Sequence, residues 1–499
     1  LWESQQPKTS SGYRLSFLTN HYKSFIMLSR SELVIRMMHS FGFEPTEGQA
    51  TVMYHLAAFL LSQKENPTYI LKGYAGTGKT SLVKALVRTL PSISMRYVLL
   101  APTGRAAKVL SNYTGLNAST IHRRIYQTVT YPDGSIRMGK AENKSRNTLF
   151  IVDEASMIGE QKEFGGNSLL DDLMSYVFSG DCCRLLLIGD TAQLPPIETV
   201  GSPALDCEYL KSEFPITAAS FELTEVKRQA LESGILYNAT DIRQLLAQNL
   251  YEYKLPLFHL SDFKDIKKIE PETFEEMLHN AFDNSTDNES VIICKSNKRA
   301  NLFNQAIRGR ILNIEGEIAT GDKLMVVKNN YYWANDNQAI GFIANGDMAE
   351  IRKIKHYDEM YGFRFADVEL SFTDYHDQPN IEVKVMLDVL NSNGASLTEE
   401  DNRRLFNAIE EDYMGIPNRR ERYKEMKKNP WFNALQVKFA YALTCHKTQG
   451  GQWKSVFIDS SFNQKEKLEV EDLRWIYTAL TRAQEKVYFV NFKDEFFES

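Results

Sequence analysis

The chain has 499 residues, 43% hydrophobic and 24% charged, with a formal net charge of −6. That length exceeds what one hydrophobic core supports and predicts three or four domains, while the acidic balance gives no support to a globally basic nucleic-acid binder and leaves a locally basic groove open. Five cysteines without a C-x-x-C pair argue against a disulfide framework, zinc ribbon or iron–sulfur cluster, and no apolar run approaches bilayer length; a soluble, cytoplasmic protein of bacterial or phage-like kind is expected.

Residues 1–26 are polar and aperiodic, an expression remnant, upstream extension or disordered tail with no assigned function. Helical periodicity begins at Leu33, Val34, Met37 and Met38, and EPTEGQATVMYHLAAFLL predicts a second helix capped by Thr46. Gln49, early in that helix, reads either as an exposed helical glutamine or as an adenine-recognising amide, since an amide offers a base edge one donor and one acceptor.

The segment GYAGTGKT, Gly73 to Thr80, organises the rest of the chain. It follows the apolar run Tyr69, Ile70, Leu71 and precedes helically spaced Leu82, Val83, Leu86 and Val87. In a strand–loop–helix context the backbone N–H groups from Gly73 through Ala75, Gly76, Thr77 and Gly78 nest around nucleotide phosphates. Lys79 reaches the β- and γ-phosphates, and the Thr80 hydroxyl ligates Mg²⁺. ATP and Mg²⁺ are therefore the expected cofactors.

A buried strand, Tyr97 to Ala101, runs into PTGRAAKVL, which puts Thr103, Gly104, Arg105 and Lys108 at its end, where open α/β sheets bind ligands. STIHRRIY follows, with Thr120, His122, Arg123 and Arg124. Such hydroxyl, imidazole and guanidinium groups hold a phosphate backbone without reading bases. Around YPDGS, residues 126–148 predict a β-hairpin with Tyr131 near its tip, either a surface excursion or a wedge stacking on the first base pair of a duplex.

In LFIVDEASM the buried run Leu149 to Val152 delivers Asp153 and Glu154 at a strand end. Asp153 suits Mg²⁺ and Glu154 suits activation of the attacking water, a pairing that favours hydrolysis over kinase chemistry. A third strand, Arg184 to Asp190, leads to Gln193, a neutral side chain able to contact both γ-phosphate and water. Arg228 in KRQ and Arg482 in LTRAQ are candidates to neutralise the phosphoryl transition state from a second lobe.

VIICKSNKRANLFNQAIR repeats the strand–loop–helix unit, so residues 223–316 and 436–499 predict a second α/β lobe. Short strands over 317–372 read as a small β-barrel insert, and the charged stretch 386–433 as a projecting, solvated helical insertion. In ALTCHKTQGGQW, residues Thr444, His446, Lys447, Thr448 and Gln449 form a Gly-bounded loop placed to touch both a nucleic-acid strand and the γ-phosphate side of the cleft.

The ordered set GYAGTGKT, APTGRAAKVL, TIH, IVDEASM, GDTAQLPPI, LTEVKRQ, ALTCHKTQG and YTALTRAQEKV resembles superfamily-one helicases, most closely the RecD/Dda branch, over nearly all of residues 40–495. The resemblance implies an α/β fold of two RecA-like P-loop NTPase lobes, the first (27–222) carrying a β-hairpin pin at 126–148. The second is interrupted at 317–435 by a Src-homology-three-like barrel and helices. It implies ATP between the lobes and single-stranded DNA across their top. Gln49 resembles the adenine contact, and Arg228 and Arg482 the paired arginine fingers; Thr103, His122, Thr444, His446 and Thr448 lie in DNA-contacting motifs. LPPI stands where oppositely directed relatives carry a base-stacking aromatic, which favours 5′-to-3′ movement. The expectation is an ATP-dependent DNA helicase acting on single strands and duplex junctions as a monomer, alongside replication, repair or recombination proteins. A translocase subunit of a recombination exonuclease complex, a non-motor nucleic-acid-binding ATPase and a protein-remodelling ATPase are the rival readings. No nuclease-type carboxylate cluster is evident in the sequence.

Overall fold

The structure is a computed structural model and describes residues 28–130, 136–162, 166–196, 199, 201–226, 232–249, 255–282, 290–333, 343–373, 378–460 and 468–498. Residues 1–26, Tyr131 at the hairpin tip and Arg228 lie outside the described residues.

The first lobe contains β1 (Pro67–Gly73), β2 (Arg96–Ala101), β3 (Ala118–Thr120), β4 (Tyr126–Thr130), β5 (Ile136–Lys140), β6 (Thr148–Val152), β7 (Arg184–Gly189) and β8 (Thr217–Leu223). Six of these form a parallel sheet in the order β3-β2-β6-β7-β1-β8. Its central strands are apolar at nearly every position and buried throughout, because crossover helices cover both faces of a parallel sheet. With β1, β7 and β6 adjacent in register (Leu71 opposite Ile188, Val152 opposite Leu187), the loops leaving their C-terminal ends emerge side by side. Those loops carry GYAGTGKT, Asp153–Glu154 and Asp190–Gln193. The two remaining strands, β4 and β5, pair as an antiparallel hairpin with Tyr126 opposite Lys140 at its base.

After β8 the chain enters a second parallel sheet through β9 (Ile266–Lys268) and β10 (Ser290–Cys294). It leaves for a barrel of β11 (Lys323–Val326), β12 (Met348–Met360), β13 (Phe363–Phe372), β14 (Ile381–Met386) and β15 (Leu435–Phe439), then returns as β16 (Ala442–Thr444), β17 (Trp453–Asp459) and β18 (Ala483–Val490). The second sheet runs β16-β10-β17-β18-β9. The barrel closes when β15 pairs antiparallel with β11 and parallel with β14. Its strands therefore extend beyond 372, and the last one crosses the boundary at 435/436 drawn from the sequence. That pairing is non-local, and a five-residue LQVKF carries no local sign of it. The strand expected at AIGFI falls largely outside the described residues.

The charged helices differ from the solvated projection expected. Helices Glu399–Asp412 and Arg419–Met426 bury Leu405, Ile409 and Met426 in the same core as Phe363 and Phe365 of β13. The Arg404 guanidinium stacks over the Phe363 ring at 4.3 Å, and the Tyr361 hydroxyl at the β12–β13 turn donates to Asp412 at 2.6 Å. Two apolar residues one turn apart on the first helix and one on the second seat a highly charged pair, because the apolar face and not the overall composition decides packing.

Candidate nucleotide site and lobe seam

β1 ends at Gly73, and a Cβ there would lie 3.0 Å from Thr77 Oγ1 and 3.1 Å from the Leu223 Cβ. The loop then needs left-handed backbone at Gly76 (φ +77°) and Gly78 (φ +84°), and Gly78 caps helix Lys79–Thr89. Thr77 folds the loop by donating its hydroxyl to the Tyr74 carbonyl at 2.7 Å. The Lys79 ammonium lies inside the loop, donating to the carbonyls of Gly73 (2.6 Å) and Tyr74 (2.9 Å). Thr80 follows in the first turn of the helix, half-buried.

Gln49 is 2% exposed and braces this loop. Its Nε2 donates to the Thr77 carbonyl at 2.9 Å, while Oε1 accepts the Thr46 N–H at 3.0 Å as part of a capping box. The amide thus ties the start of helix Glu47–Leu60 to the phosphate loop.

At the end of β6, Glu154 is held at φ +52°, an uncommon conformation for a non-glycine residue and one that concentrates at functional sites. Burial, with the Glu154 carboxylate adding to it, pushes the Asp153 carboxyl up to about 6, and the nearby Lys79 ammonium opposes that rise. Crowded anionic oxygens of this kind suit a divalent cation. Among the described residues no group of three or more His, Cys, Asp or Glu could hold a metal ion. The Thr80 hydroxyl and the Asp153 carboxylate are oxygen donors of the kind magnesium takes alongside phosphate and water oxygens. Gln193, 6% exposed, has a buried Oε1 with no hydrogen-bond partner among the described residues.

The seam between the lobes is built on Tyr477, a fully buried residue of helix Val470–Leu480. Its hydroxyl donates to Asp190 Oδ2 at 2.6 Å and accepts the Ala75 N–H of the phosphate loop at 3.0 Å. Burial and the Asp190 carboxylate raise the phenol well above its ordinary range, and burial raises Asp190 as well, so the shared proton stays on the tyrosine. The next residue, Thr478, accepts the Leu194 N–H at 2.9 Å, and Gln449 Nε2 donates to the Leu194 carbonyl at 2.7 Å. The GDTAQL loop after β7 is thereby gripped from two elements of lobe two. Arg482, 3% exposed, donates to the carbonyls of Thr478 and Gly451 and to Thr481 Oγ1, within its own lobe.

The strand-end residues expected to face nucleic acid fall into two groups. Thr103 caps helix Gly104–Thr114, Gly104 is buried in its first turn, and Arg105 reaches across to lobe two, bonding the Gln452 carbonyl at 2.8 Å and stacking over Trp453 at 3.8 Å. Gly450 (φ +72°) is pressed against the same helix, where a Cβ would lie 2.7 Å from the Ala106 Cβ. Lys108 bonds the Thr373 carbonyl, extending that helix's reach to the barrel. The second group begins on the neighbouring strand, where Thr120 of β3 lies opposite Ala101 of β2. Thr120 caps the short helix Ile121–Ile125, and His122 packs its ring 5.7 Å from Tyr126 at the hairpin base. In lobe two, Thr444 precedes a turn in which Thr448 is fully buried and donates to the Cys445 carbonyl. Burial lowers the His446 imidazole, with Glu471 opposing, and pushes the Lys447 ammonium down to about 8. Sequence reasoning missed Asp190 and Tyr477. The largely apolar run WIYTAL around Tyr477 was the available signal, because a tyrosine buried in such a run requires a partner for its hydroxyl.

Strand order, phosphate loop, acidic strand end and lobe seam describe a P-loop fold of two parallel α/β lobes that meet at the loop. An AAA domain model matches residues 45–248, and a UvrD-like helicase C-terminal domain model matches residues 439–490. The chain is 35% identical over 194 residues to the ATP-dependent RecD2 DNA helicase of Deinococcus radiodurans, a match covering 39% of this chain and 23% of that protein. It is 24% identical over 476 residues to the ATP-dependent DNA helicase dda of Enterobacteria phage T4, covering 89% of this chain and 99% of the relative. A Bacteroides Pif1 helicase crystallised with ADP-AlF3 and single-stranded DNA aligns at TM-score 0.46 and 15% identity, over 91% of this chain and 94% of that one. The chain is thus similar to the RecD2 helicase over 194 residues, spanning about a quarter of that relative's length, and to the dda helicase over nearly all of its own length. No helix among the described residues is long and apolar enough to cross a membrane.

Proposed function

We infer that this chain is a helicase that uses ATP to move along single-stranded DNA, 5′ to 3′, and to open duplex junctions ahead of it. The observation that carries the reading is the hydrogen-bonded path from the phosphate-loop N–H of Ala75 through Tyr477 to Asp190, which makes the nucleotide loop and the second lobe parts of one site. A nucleotide bound there acts on the angle between the lobes, and a ligand that binds one arrangement better shifts the population toward it.

Gly73 to Thr80 would hold the phosphates, with Lys79 exchanging its loop carbonyls for phosphate oxygens. Thr80 and Asp153 would hold magnesium, which when bound neutralises phosphate charge. Glu154 takes the proton from water as the water oxygen attacks the γ-phosphorus; the bond to the bridging β–γ oxygen breaks and ADP leaves. The unpartnered Gln193 Oε1 is suited to orient that water, and Gln449 lies beside it through Leu194. Gln49 contacts adenine in this reading, while Arg228 and Arg482 stabilise the transferring phosphoryl group. Arg482 must first release the Thr478 and Gly451 carbonyls. Thr103, Arg105, Thr120, His122, Thr444 and His446 would line the DNA path, with buried Gly104 and Thr448 shaping it from within and Tyr131 at the wedge. The protein acts as a monomer in replication, repair or recombination.

The test is ATP hydrolysis with and without single-stranded DNA in wild type and Glu154→Gln. The expected result is strong stimulation by DNA that the variant abolishes while still binding nucleotide; tailed duplexes then give the polarity. Hydrolysis indifferent to DNA would overturn the motor reading and favour a protein-remodelling ATPase.

A further inference from the structure

The hairpin of β4 and β5 is fastened to lobe one through a single buried carboxylate. Asp172 lies in helix Leu169–Phe178, which is the crossover between β6 and β7, and is 1% exposed. It accepts the Tyr126 hydroxyl at 2.8 Å, the Lys140 ammonium at 3.1 Å and Asn167 Nδ2 at 3.1 Å. Tyr126 and Lys140 are the first residue of β4 and the last of β5, opposite one another in register. Both strands of the hairpin are therefore pinned at their base to the same carboxylate, Tyr126 at Oδ2 and Lys140 at Oδ1. The helix adds further fastenings: Lys140 also donates to Ser175 Oγ at 3.4 Å, and Asn143, just past the hairpin, donates to the carbonyls of Tyr176 and Val177 at 2.9 and 3.1 Å.

The helix is itself packed against the sheet. Leu170, Leu173, Met174 and Val177 are buried against Phe150 and Val152 of β6 and Leu185 and Leu187 of β7. One element thus connects the base of the hairpin to the two strands that end in Glu154 and in the loop of Asp190 and Gln193. A two-stranded ribbon is marginal by itself and takes its direction from what holds its base.

We propose that Asp172 is a positioning residue for strand separation: it fixes the angle at which the hairpin leaves lobe one, so that movement of that lobe along DNA is delivered to the hairpin as displacement and not lost in bending. This rests on the wedge role proposed for the hairpin. The bonds to Tyr126, Lys140 and Asn167 tie Asp172 to the base of the hairpin and to the start of its own helix, so the effect of losing it is expected on unwinding.

The experiment measures three quantities on the full chain: DNA-stimulated ATP turnover, translocation rate on single strands, and unwinding rate of a tailed duplex. The variants are Asp172→Ala, Tyr126→Phe, Lys140→Met and Lys140→Arg, with a fifth in which residues 131–135 are replaced by a two-residue Asn-Gly turn. Losing a buried charge-assisted hydrogen bond corresponds to about a tenfold loss of the held geometry. Unwinding is expected to fall about tenfold in Asp172→Ala and severalfold in Tyr126→Phe and Lys140→Met. Turnover and translocation stay within about twofold of wild type, and Lys140→Arg retains unwinding. If Asp172→Ala does not fold, Tyr126→Phe, which removes one oxygen, decides the matter. Unwinding unchanged in these variants but lost on replacing the tip would overturn the positioning role and leave the wedge standing. Unwinding unchanged in the tip variant too would remove the wedge and this inference with it. A parallel fall in turnover and unwinding would reduce Asp172 to general support of the lobe and also overturn it.

Discussion

Replacing Tyr477 by phenylalanine removes one oxygen from the centre of the lobe seam and leaves the ring packing intact. That oxygen serves Asp190 Oδ2 at 2.6 Å and the Ala75 N–H at 3.0 Å, and both Tyr477 and Asp190 are at most 1% exposed. Asp190 keeps one partner, the Ala192 N–H on Oδ1, so the variant strands a single carboxylate oxygen and one amide. A hydrogen bond to a buried charged group contributes about 1.5–3 kcal/mol. The loss applies only while the lobes touch, because on separation Asp190 and Ala75 reach water. The contact equilibrium therefore shifts by about 10- to 100-fold toward separation. Distance between fluorophores on the two lobes, read with a non-hydrolysable ATP analogue, measures this directly, and DNA-stimulated turnover should fall by about tenfold at saturating DNA. Asp190→Asn gives a control, since it also removes the charge that Tyr477 serves. Closure and turnover within about twofold of wild type in Tyr477→Phe would refute the reasoning and make this bond a bystander.

Other outcomes follow from single features of the site. Gly78→Ala places a methyl 2.7 Å from Gln49 Nε2 in a left-handed conformation, and should abolish nucleotide binding measured with a fluorescent ATP analogue. Gly450→Ala, with its methyl 2.7 Å from the Ala106 Cβ, should leave nucleotide binding intact and weaken stimulation by DNA, because it wedges lobe two off helix Gly104–Thr114. Lys438 and Lys447 form no ion pair among the described residues; burial pushes both down to about 8, with their mutual repulsion adding to the fall at Lys438. A lysine depressed in the folded state binds fewer protons there than when unfolded, so the two destabilise the fold below about pH 8. That penalty is relieved between about 8 and the unfolded value near 10.5, at up to about 1.4 kcal/mol per pH unit for each lysine. The stability of wild type relative to Lys438→Met/Lys447→Met, from urea midpoints across that window, should rise with pH, and a flat difference would contradict the assignment.

What the sequence made legible was local. GYAGTGKT, the acid pair at the end of β6 and the Thr46 cap are all set by spacing along a few residues, and the structure places each where that spacing implies. Partners distant in sequence were not legible. The amide of Gln49 reads from sequence as an adenine contact, yet whether it also braces Thr77 depends on a helix and loop 28 residues apart coming together. The barrel boundary was missed because β15 finds β11 across the entire helical pair, and its Gln436 and Lys438, both buried, mask a core strand behind polar letters. Arg482 can be placed at a helix end by periodicity, but the carbonyls that hold its guanidinium belong to residues chosen by the tertiary fold.

The seam contacts and the hairpin fastening divide the work of the first lobe between two sides of one strand pair. Strands β6 and β7 end on one side in Glu154, Asp190 and Gln193, and the helix that joins them carries Asp172 under the hairpin. Lobe two meets the first of these sides through Tyr477, Thr478 and Gln449, whereas Asp172 holds the base of the hairpin. Loosening the seam therefore alters how often the lobes close, which changes turnover and movement together. Loosening Asp172 alters what each movement does to a duplex. Combining Tyr477→Phe with Tyr126→Phe should lower unwinding by the product of the two separate effects, because the sites share no partner and distant, independent perturbations add in free energy. A combined effect well short of that product would mean that the hairpin angle and lobe closure are one coupled motion, with the β6–β7 crossover helix shifting in each cycle.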